Sequence, residues 1–167
     1  MKYTRFEELP VWQDAMALCE RTFAMTDDRA FGRKGDLRSQ LERAALSIAN
    51  NVAEGFERGT TQELLTFLYI ARGSAGEVRS MLLLAERLPG FGHLKSQISD
   101  LQSQAESISR QLRAWADNLQ NSGVKGQRYL TEAARRRAGQ EKRAEEFSGE
   151  LDRIVEKGRK GRAAQGA

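Results

Sequence analysis

Leu94, Ile98, Leu101, Ala105, Ile108, Leu112, Trp115 and Leu119 follow one another at alternating steps of four and three residues, without a miss. On a helix that spacing makes one continuous apolar seam, of the kind that packs lengthwise against neighbours at a shallow angle. It predicts a helix from about Gly92 or His93 to Leu119. The face opposite the seam is Ser, Gln, Asp and Arg, and reads as wet. A seam of this length needs partners of similar length, and the rest of the chain supplies them.

Gln40 to Arg58, reading QLERAALSIANNVAEGFER, carries two helical stripes side by side. Leu41, Ala44, Ala45, Ile48, Val52 and Phe56 make an apolar face at three- and four-residue steps. Arg43, Ser47, Asn50, Glu54 and Arg58 make a polar line on another face, with Asn51 beside it. Such a line is either a solvated face or a surface that meets another helix, another subunit or a polar ligand. Arg43 and Glu54 lie eleven residues apart, too far to satisfy each other. Each is therefore expected to find a partner on the next helix or a neighbouring subunit, with Arg72 and Glu77 as the candidates. This helix is expected to start near Asp36 as N-cap and to end by Phe56 or Arg58, with Gly59 as a left-handed C-cap.

Thr60-Thr61-Gln62-Glu63 fits a capping box, so a further helix follows at once, from Thr61 to about Arg87. A link this short makes the two helices antiparallel neighbours. Its seam is Leu64, Phe67, Leu68, Ala71, Ala75, Val78, Leu82 and Ala85. Gly73 and Gly76 interrupt its middle, each at a cost of about 0.8–1 kcal/mol relative to alanine. Either they are tolerated as a weak spot or another backbone comes close there. Leu88-Pro89-Gly90 ends the helix. The first helix is expected from Pro10, which suits an initial turn, to Met25. It is followed by a loop, DDRAFGRKGD, from which Phe31 tucks back onto the core.

The predicted fold is all-α: an up-down-up-down antiparallel four-helix bundle over residues 1–121, with a basic C-terminal extension over 122–167. No alternating strand pattern competes. Residues 1–121 hold 15 Lys and Arg against 16 Asp and Glu, whereas residues 122–167 hold 12 against 7. A net of −1 thus faces a net of +5. The extension is rich in helix formers but poor in apolar anchors, and is read as a partly helical or disordered tail.

Chemistry of the usual enzymatic kinds has little material. Cys19 is the only cysteine and lies in an apolar helical pattern, so it reads as a small buried hydrophobe. His93 is the only histidine and has no cluster of metal ligands or triad partners around it. No Gly-rich loop follows a strand. No catalytic residue, cofactor or metal is expected. No apolar run is long enough to span a bilayer, and the N-terminus lacks the apolar core of a signal peptide, which points to the cytoplasm.

Three blocks also carry a resemblance. FEELPVWQDA from Phe6, LRSQLERAALSIANNVAEG from Leu37 and FLYIARGSAGE from Phe67 resemble, in order and spacing, the four-helix-bundle proteins encoded in 23S ribosomal-RNA intervening sequences. That family is similar to the accessory variability protein of diversity-generating retroelements. The resemblance covers roughly residues 5–120. It implies a homopentameric barrel of four-helix bundles around a central channel and, for the retroelement relatives, binding of nucleic acid and of a reverse transcriptase.

The expected function is a non-enzymatic, oligomeric accessory protein that binds RNA or DNA with little sequence preference. Lys125, Arg128, Arg135, Arg136, Arg137, Lys142, Arg143, Lys157, Arg159, Lys160 and Arg162 are the candidate phosphate contacts. Arg43, Ser47, Asn50, Glu54, Arg58, Arg72, Gly73, Gly76 and Glu77 are the candidate assembly residues. The rival reading is a structural or protein-interaction scaffold that uses the same polar line and glycines and binds no nucleic acid.

Overall fold

The computed structural model describes residues 3–32, 34–122 and 143. The chain divides into two units, Met1–Arg128 and Tyr129–Ala167, and the fold described here is that of the first. It consists of four helices: α1 (Pro10–Thr26), α2 (Gly35–Glu57), α3 (Thr61–Arg87) and α4 (Lys95–Gln120). Single 3-10 turns precede α1, α2 and α4, and no strand occurs among the described residues.

Helix boundaries follow local chemistry, with two corrections. Pro10 opens α1, as its missing N–H allows. Thr60 caps α3: its hydroxyl oxygen accepts from the Glu63 backbone N–H at 3.2 Å and donates to the Glu63 carboxylate at 2.7 Å. Leu88 is extended before Pro89, as steric conflict with a proline ring requires, and α3 stops at Arg87. Asp36, expected as an N-cap, instead lies inside the first turn of α2, where its charge faces the positive helix end. Gly59 is not left-handed either. Arg58 leaves α2 extended, at φ −68° and ψ 142°, and among the described residues only Gly90 has positive φ, at 93°.

The four helices surround one core. Each predicted seam points into it: Leu101, Ile108 and Leu112 of α4, Leu41, Ile48 and Val52 of α2, and Leu64, Leu68 and Leu82 of α3 are all buried. Trp115 and Leu119, at the last turns of α4, pack partly buried against the same cluster. Cys19 is buried, and burial raises its thiol pKa, so it is held as an unreactive thiol. Helix α1 packs on α2 and α4, and α3 packs on α2 and α4.

Specific contacts set the register of each pair. Thr26 on α1 donates to Glu42 on α2 at 2.6 Å. Ser47 on α2 meets Ser74 on α3 at 3.0 Å. Arg79 on α3 pairs with Glu106 on α4 at 3.6 Å, and Gln120 donates to the Tyr69 hydroxyl at 2.7 Å. Gln104 and Gln111 of α4 both donate to Asp14 of α1, and Arg21 donates to Gln104 at 2.7 Å. The face of α4 read as wet is therefore partly tied to α1.

The two loops beside the N-terminal turns of α2 and α4 meet each other. Phe31 and Phe91 are both fully buried and stack edge to face with centroids 4.9 Å apart. Outside them, His93 Nε2 lies 3.1 Å from Asp28 Oδ2. The expectation that Phe31 returns to the core holds. The Asp28 partner of His93 lies 65 residues away and was not visible in the sequence.

Candidate functional site

The polar line of α2 runs beside α3, and its middle is a hydrogen-bonded chain. Asn51 Nδ2 donates to the Ser47 carbonyl at 2.7 Å and the Ser47 hydroxyl at 2.9 Å. The Ser47 and Ser74 hydroxyls share a bond, and Ser74 also donates to the Ile70 carbonyl at 3.2 Å. Ser74 is buried, so its hydroxyl needs these partners. Sequence reading placed Asn50 in the line, but Asn50 is exposed and Asn51 makes the bonds. The reason is the inward lean of position 51, one turn after Ser47.

The ends of the line behave differently. Glu54 accepts from Arg58 at 2.5 Å, one turn away, and Arg58 also stands 3.9 Å from Glu63. The Glu54 hydrogen bond raises the Arg58 pKa. Arg58 also covers the Phe67 ring, 5.3 Å from its centroid. The expectation that Glu54 takes a partner from α3 is thus corrected: Arg58, four residues on in the same line, is close enough.

Arg43 opens into a groove of about 380 Å³ between α2 and α3, lined by Gln40, Arg43, Ala44, Ser47, Glu77, Ser80 and Met81. Arg43 and Glu77, named together from sequence, are brought to one groove. Both are exposed, and neither forms an ion pair with the described residues. Arg72 is half-buried and likewise has no hydrogen-bonding or ionic partner among them.

The glycines divide by function. At Gly55 a Cβ would lie 2.7 Å from Phe67 Cβ and 3.2 Å from Leu64 Cδ1, so α3 crosses close to the α2 backbone there. At Gly73 and Gly76 a Cβ would meet nothing within 4 Å. The close backbone approach expected at Gly73 and Gly76 does not occur inside this unit. It occurs at Gly55, which meets Leu64 and Phe67 across the short α2–α3 link.

Gly73 and Gly76 instead lie on the outer face of α3, together with Tyr69, Ile70, Leu83 and Leu84. Phe23 on α1 and Leu46 on α2 complete the exposed large hydrophobic side chains among the described residues, and all six are 41–50% exposed. This face was not recognised from sequence, because Ile70, Leu83 and Leu84 fall next to true seam positions in an apolar stretch.

Among the described residues, no group of three His, Cys, Asp or Glu is placed to hold a metal ion. No described helix is long and apolar enough to cross a membrane. Of the candidate phosphate contacts, Arg143 is an exposed helical position. Lys125, Arg128, Arg135, Arg136, Arg137, Lys142, Lys157, Arg159, Lys160 and Arg162 lie outside the described residues.

The arrangement is that of a small helical protein with a hydrogen-bonded helix seam, an open polar groove and an uncovered apolar helix face. Residues 7–114 match the sequence pattern of the 23S rRNA-intervening sequence protein family, and the chain belongs to that family. No curated protein matches the chain.

Proposed function

We propose that this protein is a non-enzymatic, oligomeric accessory protein of the cytoplasm that binds RNA or DNA with little sequence preference. In this reading the four helices run up-down-up-down as an antiparallel bundle. The register supports that order: along α1 from Asp14 to Arg21 the α4 partners fall from Gln111 to Asp100, and along α3 from Tyr69 to Arg79 they fall from Gln120 to Glu106. The bundle serves assembly, into a ring of five as the resemblance implies, and the basic extension meets phosphates. In this reading a reverse transcriptase is the protein partner, as the resemblance to retroelement accessory proteins implies.

The observation that carries the nucleic-acid reading is the charge split, −1 over residues 1–121 against +5 over 122–167. Lys and Arg on such a segment bind phosphates and displace counterions, without reading bases. Several copies in one assembly would gather several extensions and raise the effective concentration of each weak contact. Replacing Arg135, Arg136 and Arg137 together with alanine should weaken binding by a similar factor on unrelated RNA and DNA sequences. A loss confined to one sequence would contradict phosphate-led binding. If the full-length protein binds no nucleic acid even at low salt, the nucleic-acid reading fails.

One observation favours the second reading, a protein-interaction scaffold without nucleic-acid binding. The outer face of α3 exposes Tyr69, Ile70, Leu83 and Leu84 on a single helix. Purified protein that carries no nuclease-sensitive ultraviolet absorbance, yet assembles, would fit that reading.

A further inference from the structure

We propose that the groove between α2 and α3 binds a small zwitterion, with the chemistry of a free amino acid, its carboxylate on Arg43 and its ammonium on Glu77. Arg43 belongs to the α2 wall and Glu77 to the α3 wall, and Gln40, Ala44, Ser80 and Met81 line the groove with them. Such a site is separate from the nucleic-acid contact and the assembly proposed above, and needs neither.

Two contacts fix the level at which these charges stand. Ser47 meets Ser74, and Gly55 meets Leu64 and Phe67, so the contacts move back along α3 as they move forward along α2. Arg43 lies four residues before Ser47, and Glu77 three residues after Ser74. On helices with that register both are displaced the same way from the Ser47–Ser74 bond, by roughly 6 Å and roughly 4.5 Å. A cation and an anion therefore stand at one level on the two walls. Their charged atoms do not come within 4.0 Å of each other, and neither has an ionic partner among the described residues.

The space between them, about 380 Å³, is at the lower end of the range for small-molecule sites. A ligand with an opposite charge at each end meets both walls. Its carboxylate takes two parallel N–H bonds from the planar Arg43 guanidinium. Its ammonium has three donors, for the Glu77 carboxylate and for the hydroxyl and amide oxygens of Ser80 and Gln40. Neither Ser80 nor Gln40 spends its side chain on a hydrogen bond among the described residues. Buried Ala44 and half-buried Met81 offer an apolar wall to the ligand's own side chain. A phosphate would meet Glu77 as a like charge, and a polyamine would meet Arg43 as one, so the pair selects for a ligand that carries both signs.

The test titrates the full chain calorimetrically with L-methionine and with two analogues, N-acetyl-L-methionine, which lacks the ammonium, and L-methioninamide, which lacks the carboxylate. L-Methionine should saturate the protein at millimolar concentration, and each analogue should bind about five- to tenfold more weakly. Arg43→Gln should bring L-methionine down to the affinity of the amide, so that the two no longer differ. Glu77→Gln should do the same for L-methionine and the N-acetyl compound. Both positions are exposed and glutamine is a good helix former, so circular dichroism should show unchanged helicity.

Wild-type protein that gives no saturable heat with L-methionine at millimolar concentration would overturn the site. Equal affinity for L-methionine and both analogues would overturn it too, as would variants that bind and discriminate as wild type does. Light scattering on the same two variants supplies the remaining outcome. A fall in assembled mass would show that another copy of the chain covers the groove, and would overturn its assignment to a small ligand.

Discussion

The backbone of Gly55 on α2 passes so close to Phe67 on α3 that a Cβ at position 55 would lie 2.7 Å from Phe67 Cβ. No real side chain tolerates that distance without movement. A glycine in the last turn of α2 is thus the point on which the α2–α3 corner closes. Gly55→Ala should destabilise the fold by about 1–3 kcal/mol, the usual cost of overpacking, despite alanine's better helix propensity. Urea unfolding checks this, and a variant as stable as wild type would mean that the corner opens freely.

Gly73→Leu makes the opposite case. Nothing within 4 Å opposes a Cβ there, and leucine is the better helix former by somewhat less than about 1 kcal/mol. The variant should keep or raise helical stability while lowering the assembled mass, because the added side chain holds a neighbouring copy away. A drop in helicity before any drop in mass would contradict this.

The α4 seam is the clearest stability test. Leu101 and Leu112 are buried, and truncation of either to alanine should cost about 2–5 kcal/mol. Gln97 is exposed and should be close to silent. Gln104 looks equivalent in sequence but bonds both Arg21 and the Asp14 carbonyl, so Gln104→Ala should cost on the order of 1 kcal/mol in the same denaturant melts.

The Asp28–His93 contact gives an acid-side prediction. The Ala30 backbone N–H, and then the His93 ring, lower the Asp28 pKa below the ordinary carboxylate value of about 3.9. A group depressed in the folded state contributes stability that is complete above its unfolded pKa and is lost as pH falls through its folded pKa. Asp28→Ala should therefore be less stable than wild type at neutral pH, with the gap narrowing below about pH 4. A gap of constant size from neutral to strongly acidic pH would show that the carboxylate charge is not what matters.

Much of the fold was legible because helix periodicity is a local signal. The seam of α4 and the Thr60–Glu63 cap were readable from residue spacing alone, and both occur as read. What was not legible depends on distance across the fold. Nothing in the spacing of His93 points to Asp28, and nothing around Gly55 distinguishes it from Gly73 until α3 is placed beside it. The polar line of α2 was found, but which members bond was not: Asn51 rather than Asn50, and Arg58 rather than an α3 residue for Glu54. The outer apolar face of α3 was hidden because a leucine's exposure cannot be read within the run Met81-Leu82-Leu83-Leu84, where only Leu82 is fully buried.

The central claim is that the basic extension carries nucleic-acid contact, and the dependence of binding on salt measures it most directly. Affinity for duplex DNA and for single-stranded RNA should be followed from low to moderate salt, with the full chain and with a chain ending before Ser122. The slope of log K against log salt is about −0.9 per phosphate neutralised on duplex and about −0.7 on single strands. The account predicts that the shortened chain keeps its helicity, binds much more weakly and shows a slope markedly closer to zero. Unchanged affinity and an unchanged slope would contradict it and would place the contact on the helical unit instead.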